Sequence, residues 1–150
     1  MRALIQRVRS ATLSIDNQIH SKINGGLCIF LGVGVEDSEA DAVLLAKKAR
    51  ELRIFEDEEG KMNRSLLDMD GEALVVSQFT LYADTSHGRR PSFLEAARPP
   101  RAVPLYTLFM EELKKGGVKK VASGVFGADM LVGIENDGPV TIWLDTNQWK

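Results

Sequence analysis

Cysteine and histidine are nearly missing: the 150 residues contain one of the first and two of the second. Cys28 alone cannot close an internal disulfide, and with His20 and His87 it cannot supply a zinc site at the usual ligand spacings. A serine triad would need one of those two histidines. His20 falls in a strand or turn, and His87, beside Ser86, falls in a basic loop where phosphate contact or solvation suits it better than base catalysis. No Walker-type loop is present. Gly32-Val33-Gly34 opens like a dinucleotide fingerprint, but the third glycine would fall at Asp37, so the pattern fails. The longest apolar run, residues 27–35, has nine residues including two glycines. A bilayer needs roughly 20. The opening MRALIQRVRS alternates apolar and basic residues without a signal-peptide core. A cytoplasmic protein with no membrane association is expected. Charge of one sign is also lacking: nineteen basic against twenty-one acidic residues leave −2, too little for a global field that draws in nucleic acid.

What is present describes an ordinary globular chain, 44% hydrophobic and 27% charged, of a length that suits one domain over residues 1–150. Such a domain removes roughly two thirds of its unfolded surface from water. The charge is unevenly placed. Glu36, Asp37, Glu39 and Asp41 make an acidic knot, and residues 56–59 another. Between residues 86 and 101, the four arginines Arg89, Arg90, Arg98 and Arg101 against Glu95 leave +3. That loop is either a solvated surface with weak ion pairs or a holder of a few phosphates.

Residues 3–9 alternate as a strand, with Ala3, Ile5, Arg7 and Arg9 on one face and Leu4 and Val8 on the other. A second run over residues 11–15 reaches the Asp16-Asn17 turn and returns over residues 18–23 as a hairpin. Residues 27–35 read as a buried strand, because their glycines and branched side chains disfavour helix. Ser38 with Asp41 opens a helix whose stripe is Ala42, Leu45, Ala46, Ala49 and Leu52. A short strand follows at residues 53–55, and residues 72–81 give the clearest strand in the chain. A long connection, residues 82–103, carries Pro91, Pro99 and Pro100; loops of that length tend to be functional. Pro104 suits the first turn of a second helix ending at Gly116-Gly117, and two or three strands complete the chain, with a turn at Asn136-Asp137-Gly138. The order implies an α/β or α+β domain with a mixed sheet and two main helices.

Two segments stand out chemically. In SQFTLYAD, residues 77–84, strand alternation would put Leu74, Val76, Gln78 and Thr80 on one face and Val75, Ser77 and Phe79 on the other. An apolar strand thus turns polar on both faces as it ends, which is where α/β domains place their sites. Ser77 and Thr80 could equally satisfy nearby backbone groups. In Asn136-Asp137-Gly138-Pro139, a turn signal is followed by a proline that cannot donate to a ladder.

Taken together with MRALIQRV, RIFEDEEGKMN, GRRPSF and FGADM, the segments SQFTLYAD and NDGPVT make the chain resemble the D-aminoacyl-tRNA deacylase family over essentially its whole length. The departures are the Ser86-His87 pair and a short tail over residues 146–150, neither of which touches a motif. The resemblance implies a compact, barrel-like α/β domain paired as a homodimer, needing no metal and no organic cofactor. It implies hydrolysis of the ester in D-aminoacyl-tRNA, and in glycyl-tRNA mischarged on tRNA(Ala), with L-aminoacyl-tRNA spared. By the same resemblance Ser77, Gln78 and Thr80 are catalytic, and Phe79, Phe126 and Met130 line the site around the terminal adenosine. Gly138-Pro139 would be cis and reach into the partner's pocket. Arg89, Arg90, Arg98 and Arg101 would hold tRNA phosphates. Thr80 could be a covalent nucleophile, or could shape the site while backbone amides near Phe79 polarise the carbonyl. The want of a nearby histidine favours the second, since an unactivated threonine is a poor nucleophile. From another class comes a nucleic-acid-binding module that recognises a tRNA 3′ end or single strand without turnover, using the same arginines and Phe79.

Overall fold

Strands covered on both faces read as unbroken apolar runs, and two of this chain's central strands are of that kind. The computed structural model describes residues 1–150. In chain order the elements are β1 (Arg2–Ile15), β2 (Gln18–Ile23), β3 (Gly26–Gly32), α1 (Glu39–Glu51), β4 (Phe55–Glu56), β5 (Met62–Arg64), β6 (Glu72–Ser77), α2 (Pro99–Lys115), β7 (Val121–Ser123) and β8 (Leu131–Asp145). Six strands share one mixed sheet, in which β3, β6 and β7 are mutually parallel; β4 and β5 pair apart as a small ribbon.

β1 organises the sheet. Along one edge β8 runs antiparallel from Asp145 opposite Arg2 to Leu131 opposite Ser14. Along the other edge β3 pairs with its first half and β2 with its second. The sheet curls until β2 meets β7, where the Ser21 hydroxyl donates to the Ser123 carbonyl at 2.9 Å. The result is a nearly closed, barrel-like sheet. Val8, Leu13, Ile23, Cys28, Leu74 and Val76 fill one core. On the opposite face Ile5, Ile29, Ala73 and Val75 pack with Leu45 of α1 and Phe109 and Leu113 of α2. Each large side chain removed from water here is worth about 1.5–3 kcal/mol. Successive residues of β6 therefore enter different cores.

Several sequence expectations change. The runs at residues 3–9 and 11–15 are one strand, β1. α2 begins at Pro99 rather than at Pro104: Pro99 and Pro100 occupy its first two positions, where no amide donor is needed, and Pro104 lies inside it. The long connection is shorter for that reason, and it is pinned by bridges between Asp84 and Ser92 and between Gly34 and Ala96. The short strand expected at residues 53–55 is Phe55–Glu56. Asn136-Asp137-Gly138 is not a hairpin turn. β8 continues through it, and the register jumps from Gln6 opposite Thr141 to Val8 opposite Asn136, so residues 137–140 bulge across Arg7 alone.

Candidate functional site

The site residues gather where β6 ends. The Gln78 N–H donates to the Leu31 carbonyl at 2.8 Å, and the chain then tightens into a 3-10 turn, Phe79–Tyr82. The expected strand over residues 72–81 stops at Ser77, so the predicted alternation of Gln78 and Thr80 with Leu74 and Val76 does not occur. What bends the chain is the close approach of β3. A side chain on Gly34 would stand 2.7 Å from the Tyr82 ring, and one on Gly32 would stand 3.0 Å from the Gln78 carbonyl oxygen. Glycines that failed as a dinucleotide loop thus seat the turn.

The turn is anchored from behind by a buried polar network. Asp37 accepts from the Met1 ammonium at 2.7 Å, from the Gly34 N–H at 2.6 Å and from the Tyr82 hydroxyl at 3.2 Å. Arg2 lies over the Tyr82 ring, 4.3 Å from its centroid, and donates to the Leu81 carbonyl at 2.9 Å. Burial, then the neighbouring Asp37 carboxylate, push the Tyr82 hydroxyl well above the usual tyrosine range, so it stays a neutral donor.

In front, Ser77 and Gln78 are half-buried while Phe79 and Thr80 are exposed. The Gln78 side-chain amide donates to the Thr80 hydroxyl. A cavity of about 290 Å³ is lined by Ser77, Gln78, Phe79, Phe126, Asp129 and Met130 among others. The structure therefore brings Phe126 and Met130 to the Ser77–Phe79 segment. Asp129, exposed and within FGADM, is the one titratable side chain on that lining, and sequence reasoning passed it over. A second cavity of about 520 Å³ lies beyond Phe79 and Phe126 and runs past Phe93 and Leu94 to Arg98 and Pro99. Phe93 meets Phe79 edge to face, with ring centroids 5.0 Å apart. Phe93 and Leu94 were not among the expected site residues, although Phe93 closes the GRRPSF stretch that carries the resemblance.

Gly138-Pro139 is not brought to this site within one chain. The bond is cis, Gly138 has φ of +128°, and both residues are exposed. They sit on β8, with β1 and β3 between them and β6, and Arg7 beside them is level with Leu27 and Ala73 at the start of β6. Arg7, buried, stitches the bulge by donating to the Asp137 carbonyl at 3.0 Å and to the Ile54 carbonyl at 2.7 Å. Arg89, Arg90 and Arg98 are exposed and their guanidinium groups make no ion pair or hydrogen bond, whereas that of Arg101 donates to the Asp37 carbonyl at 2.9 Å. His87 contacts the Ser86 hydroxyl at 2.8 Å, but that hydroxyl also donates directly to Asp84 at 2.6 Å on an exposed loop. A triad needs the carboxylate on the histidine instead.

A family model described as D-Tyr-tRNA(Tyr) deacylase matches residues 4–145. The D-aminoacyl-tRNA deacylase of Roseiflexus castenholzii is 59% identical over 97% of this chain and 92% of its own length. That of Thermomicrobium roseum is 58% identical over 100% of this chain and 97% of its own. A solved structure described as a c-Myc DNA unwinding element binding protein superposes with a TM-score of 0.92 at 39% identity, covering 97% of this chain and 98% of that one. A second, described as a probable eukaryotic D-amino acid tRNA deacylase, superposes with a TM-score of 0.81 at 17% identity, covering 95% and 97%, a likeness of fold alone.

Proposed function

The chain belongs to the D-Tyr-tRNA(Tyr) deacylase family, a family of ester hydrolases, and on that footing we propose that it frees D-amino acids from tRNA and glycine from mischarged tRNA(Ala) while sparing L-aminoacyl esters. The observation that carries the reading is the pairing of the Ser77–Phe79 segment, which leads into the 3-10 turn, with Phe126 and Met130 around one cavity. The aromatic and thioether groups suit the terminal adenosine, and the turn suits the ester.

Thr80 is a shaping residue in this reading. Its hydroxyl accepts a hydrogen bond from Gln78, which withdraws electron density, and no histidine or lysine lines the cavity to take its proton. The carbonyl is polarised by main-chain donors. The Phe79 and Thr80 amides come before the first hydrogen bond of the 3-10 turn, from Leu81 N–H to the Gln78 carbonyl at 3.3 Å, and fixed donors of this kind stabilise a developing oxyanion. Water attacks the carbonyl carbon, the tetrahedral oxyanion collapses, and the tRNA hydroxyl leaves with a proton. The 2′-hydroxyl of the tRNA assists the water.

Chirality is read by exclusion. D and L esters carry the same groups, so selection needs a block where an L side chain would stand. We assign the block to Gly138-Pro139 of a second copy, since within one chain the motif lies three strands from Ser77. That assignment makes the protein a symmetric homodimer in which each site depends on both subunits. The 2.9 Å approach that a Gly138 Cβ would make to Val140, and 3.0 Å to Arg7, means that alanine there also strains its own chain.

A second reading has one observation behind it: the relative of known structure described as a DNA-element binding protein. Binding without turnover would use the same free arginines. Incubation with D-Tyr-tRNA, L-Tyr-tRNA and Gly-tRNA(Ala) decides between them. Ester loss from the first and third, with the second intact, is the expected result; tight binding with every ester intact would leave only the binding module. Sedimentation of the same sample tests the dimer.

A further inference from the structure

The two cavities flanking Phe79 share the Phe126–Gly127 wall, but one terminal nucleoside needs only the nearer. The farther one continues outward to the rim made by Leu94, Arg98 and Pro99. Leu94 is 85% exposed, the most exposed large apolar side chain of the molecule, and Phe79 beside it is 53% exposed. Apolar groups left open at the mouth of a cavity are suited to the flat face of a nucleobase. Arg98, at the same rim, spends its guanidinium on no carboxylate or carbonyl. No acidic residue lines this cavity; Glu95, next to Leu94 in sequence, lines a different one with Arg2 and Tyr82. Beyond the ester-facing turn and the aromatic wall, one rim thus offers an apolar shelf and a free cation side by side. Beyond its ester and terminal adenosine, a tRNA end presents a linking phosphate and a penultimate base, the two kinds of group that such a rim takes.

Resting on the deacylase reading above, we infer that this outer shelf is a second nucleotide subsite, which takes the nucleotide on the 5′ side of the terminal adenosine. Its base lies against Leu94 and Phe93, and Arg98 meets the phosphate that joins the two nucleotides. The loop then measures the polynucleotide character of the substrate, separately from the chirality of the acyl group.

Three D-tyrosyl esters test this: of adenosine, of the dinucleotide CpA, and of intact tRNA. The parent enzyme is expected to cleave the CpA ester with a kcat/KM at least tenfold above that of the adenosine ester, mainly through KM. Leu94→Ser, a change on an exposed side chain, should cut that preference threefold or more. Arg98→Gln should cut it too and supplies the second variant. Leu44→Ser, at an exposed position on α1, should leave the preference as it was. Equal rates on the CpA and adenosine esters, or a Leu94→Ser enzyme that loses both in the same proportion, would overturn the subsite. Inactivity of the parent on all three esters would instead sink the deacylase reading itself.

Discussion

Thr80 and Asp41 show how a side chain's role follows from what it touches. Thr80 is exposed, accepts from Gln78 and finds no histidine or lysine on the neighbouring cavity lining, so Thr80→Ala should retain deacylation within about tenfold, or ~1.4 kcal/mol of barrier. Steady-state kinetics on D-Tyr-tRNA check this, and a trapped acyl-threonine would refute it. Asp41 is buried at the start of α1. Desolvation works to raise its pKa, but hydrogen bonds from the Ser38 backbone and from Lys150 outweigh it and hold the carboxyl well below the usual range. Its folded pKa being lower than its unfolded one, the carboxylate's contribution is complete above about pH 4 and is lost as pH falls toward the folded value. Asp41→Asn should cost roughly 1–3 kcal/mol near pH 7, and urea melts should show the gap to the parent closing in strong acid. Ser38 and Asp41 were readable as a helix start from spacing alone. The Lys150 contact was not, because nothing local links residues so far apart.

The end of β6 is the element on which the site depends, and it is also where strand periodicity misleads. A polar, strand-forming stretch after Val76 looks like continued alternation, yet packing against Gly32 and Gly34 turns it into a 3-10 bend. The clue lay in another segment, in glycines that fitted no phosphate loop. Gly34→Ala would drive a methyl into the Tyr82 ring, which Arg2 and Asp37 hold in place. The expected result is a loss of about 1–3 kcal/mol in stability and at least a tenfold fall in kcat/KM, read by urea melts and kinetics on the same sample. In the loop, Arg89 and Arg90 are free and exposed. Replacing both by glutamine should lower the slope of log binding constant against log salt by roughly 0.7–0.9 per lost contact, with the D-over-L preference unchanged. An unaltered slope would make the loop a solvated surface. The positive balance was plain in the sequence, whereas the apolar shelf beside it was hidden, because Leu94 and Phe93 sit in no periodic pattern.

At the level of the whole molecule, the mixed sheet with two helices was legible because each strand's face pattern is local. The barrel-like curl followed only from the family resemblance and not from local pattern, since it arises from β1 sharing one edge between β2 and β3. The bulge opposite Arg7 was not legible, because a four-to-one register exists only once two distant strands meet. That same pairing of β1 with β8 bears on how the protein is made. Arg2 and Asp145 are 143 residues apart in sequence, so β1, which leaves the ribosome well before β8, lacks the partner for an entire edge until β8 has emerged. Contacts this distant are slow to form, and an unpaired edge is a template for the wrong strand. Ribosome-stalled chains ending before residue 131 should therefore remain protease-sensitive and bind chaperones, whereas chains stalled with β8 fully outside the tunnel should become resistant in one step. The checkpoint in the synthesis of this fold is therefore expected where β8 joins β1.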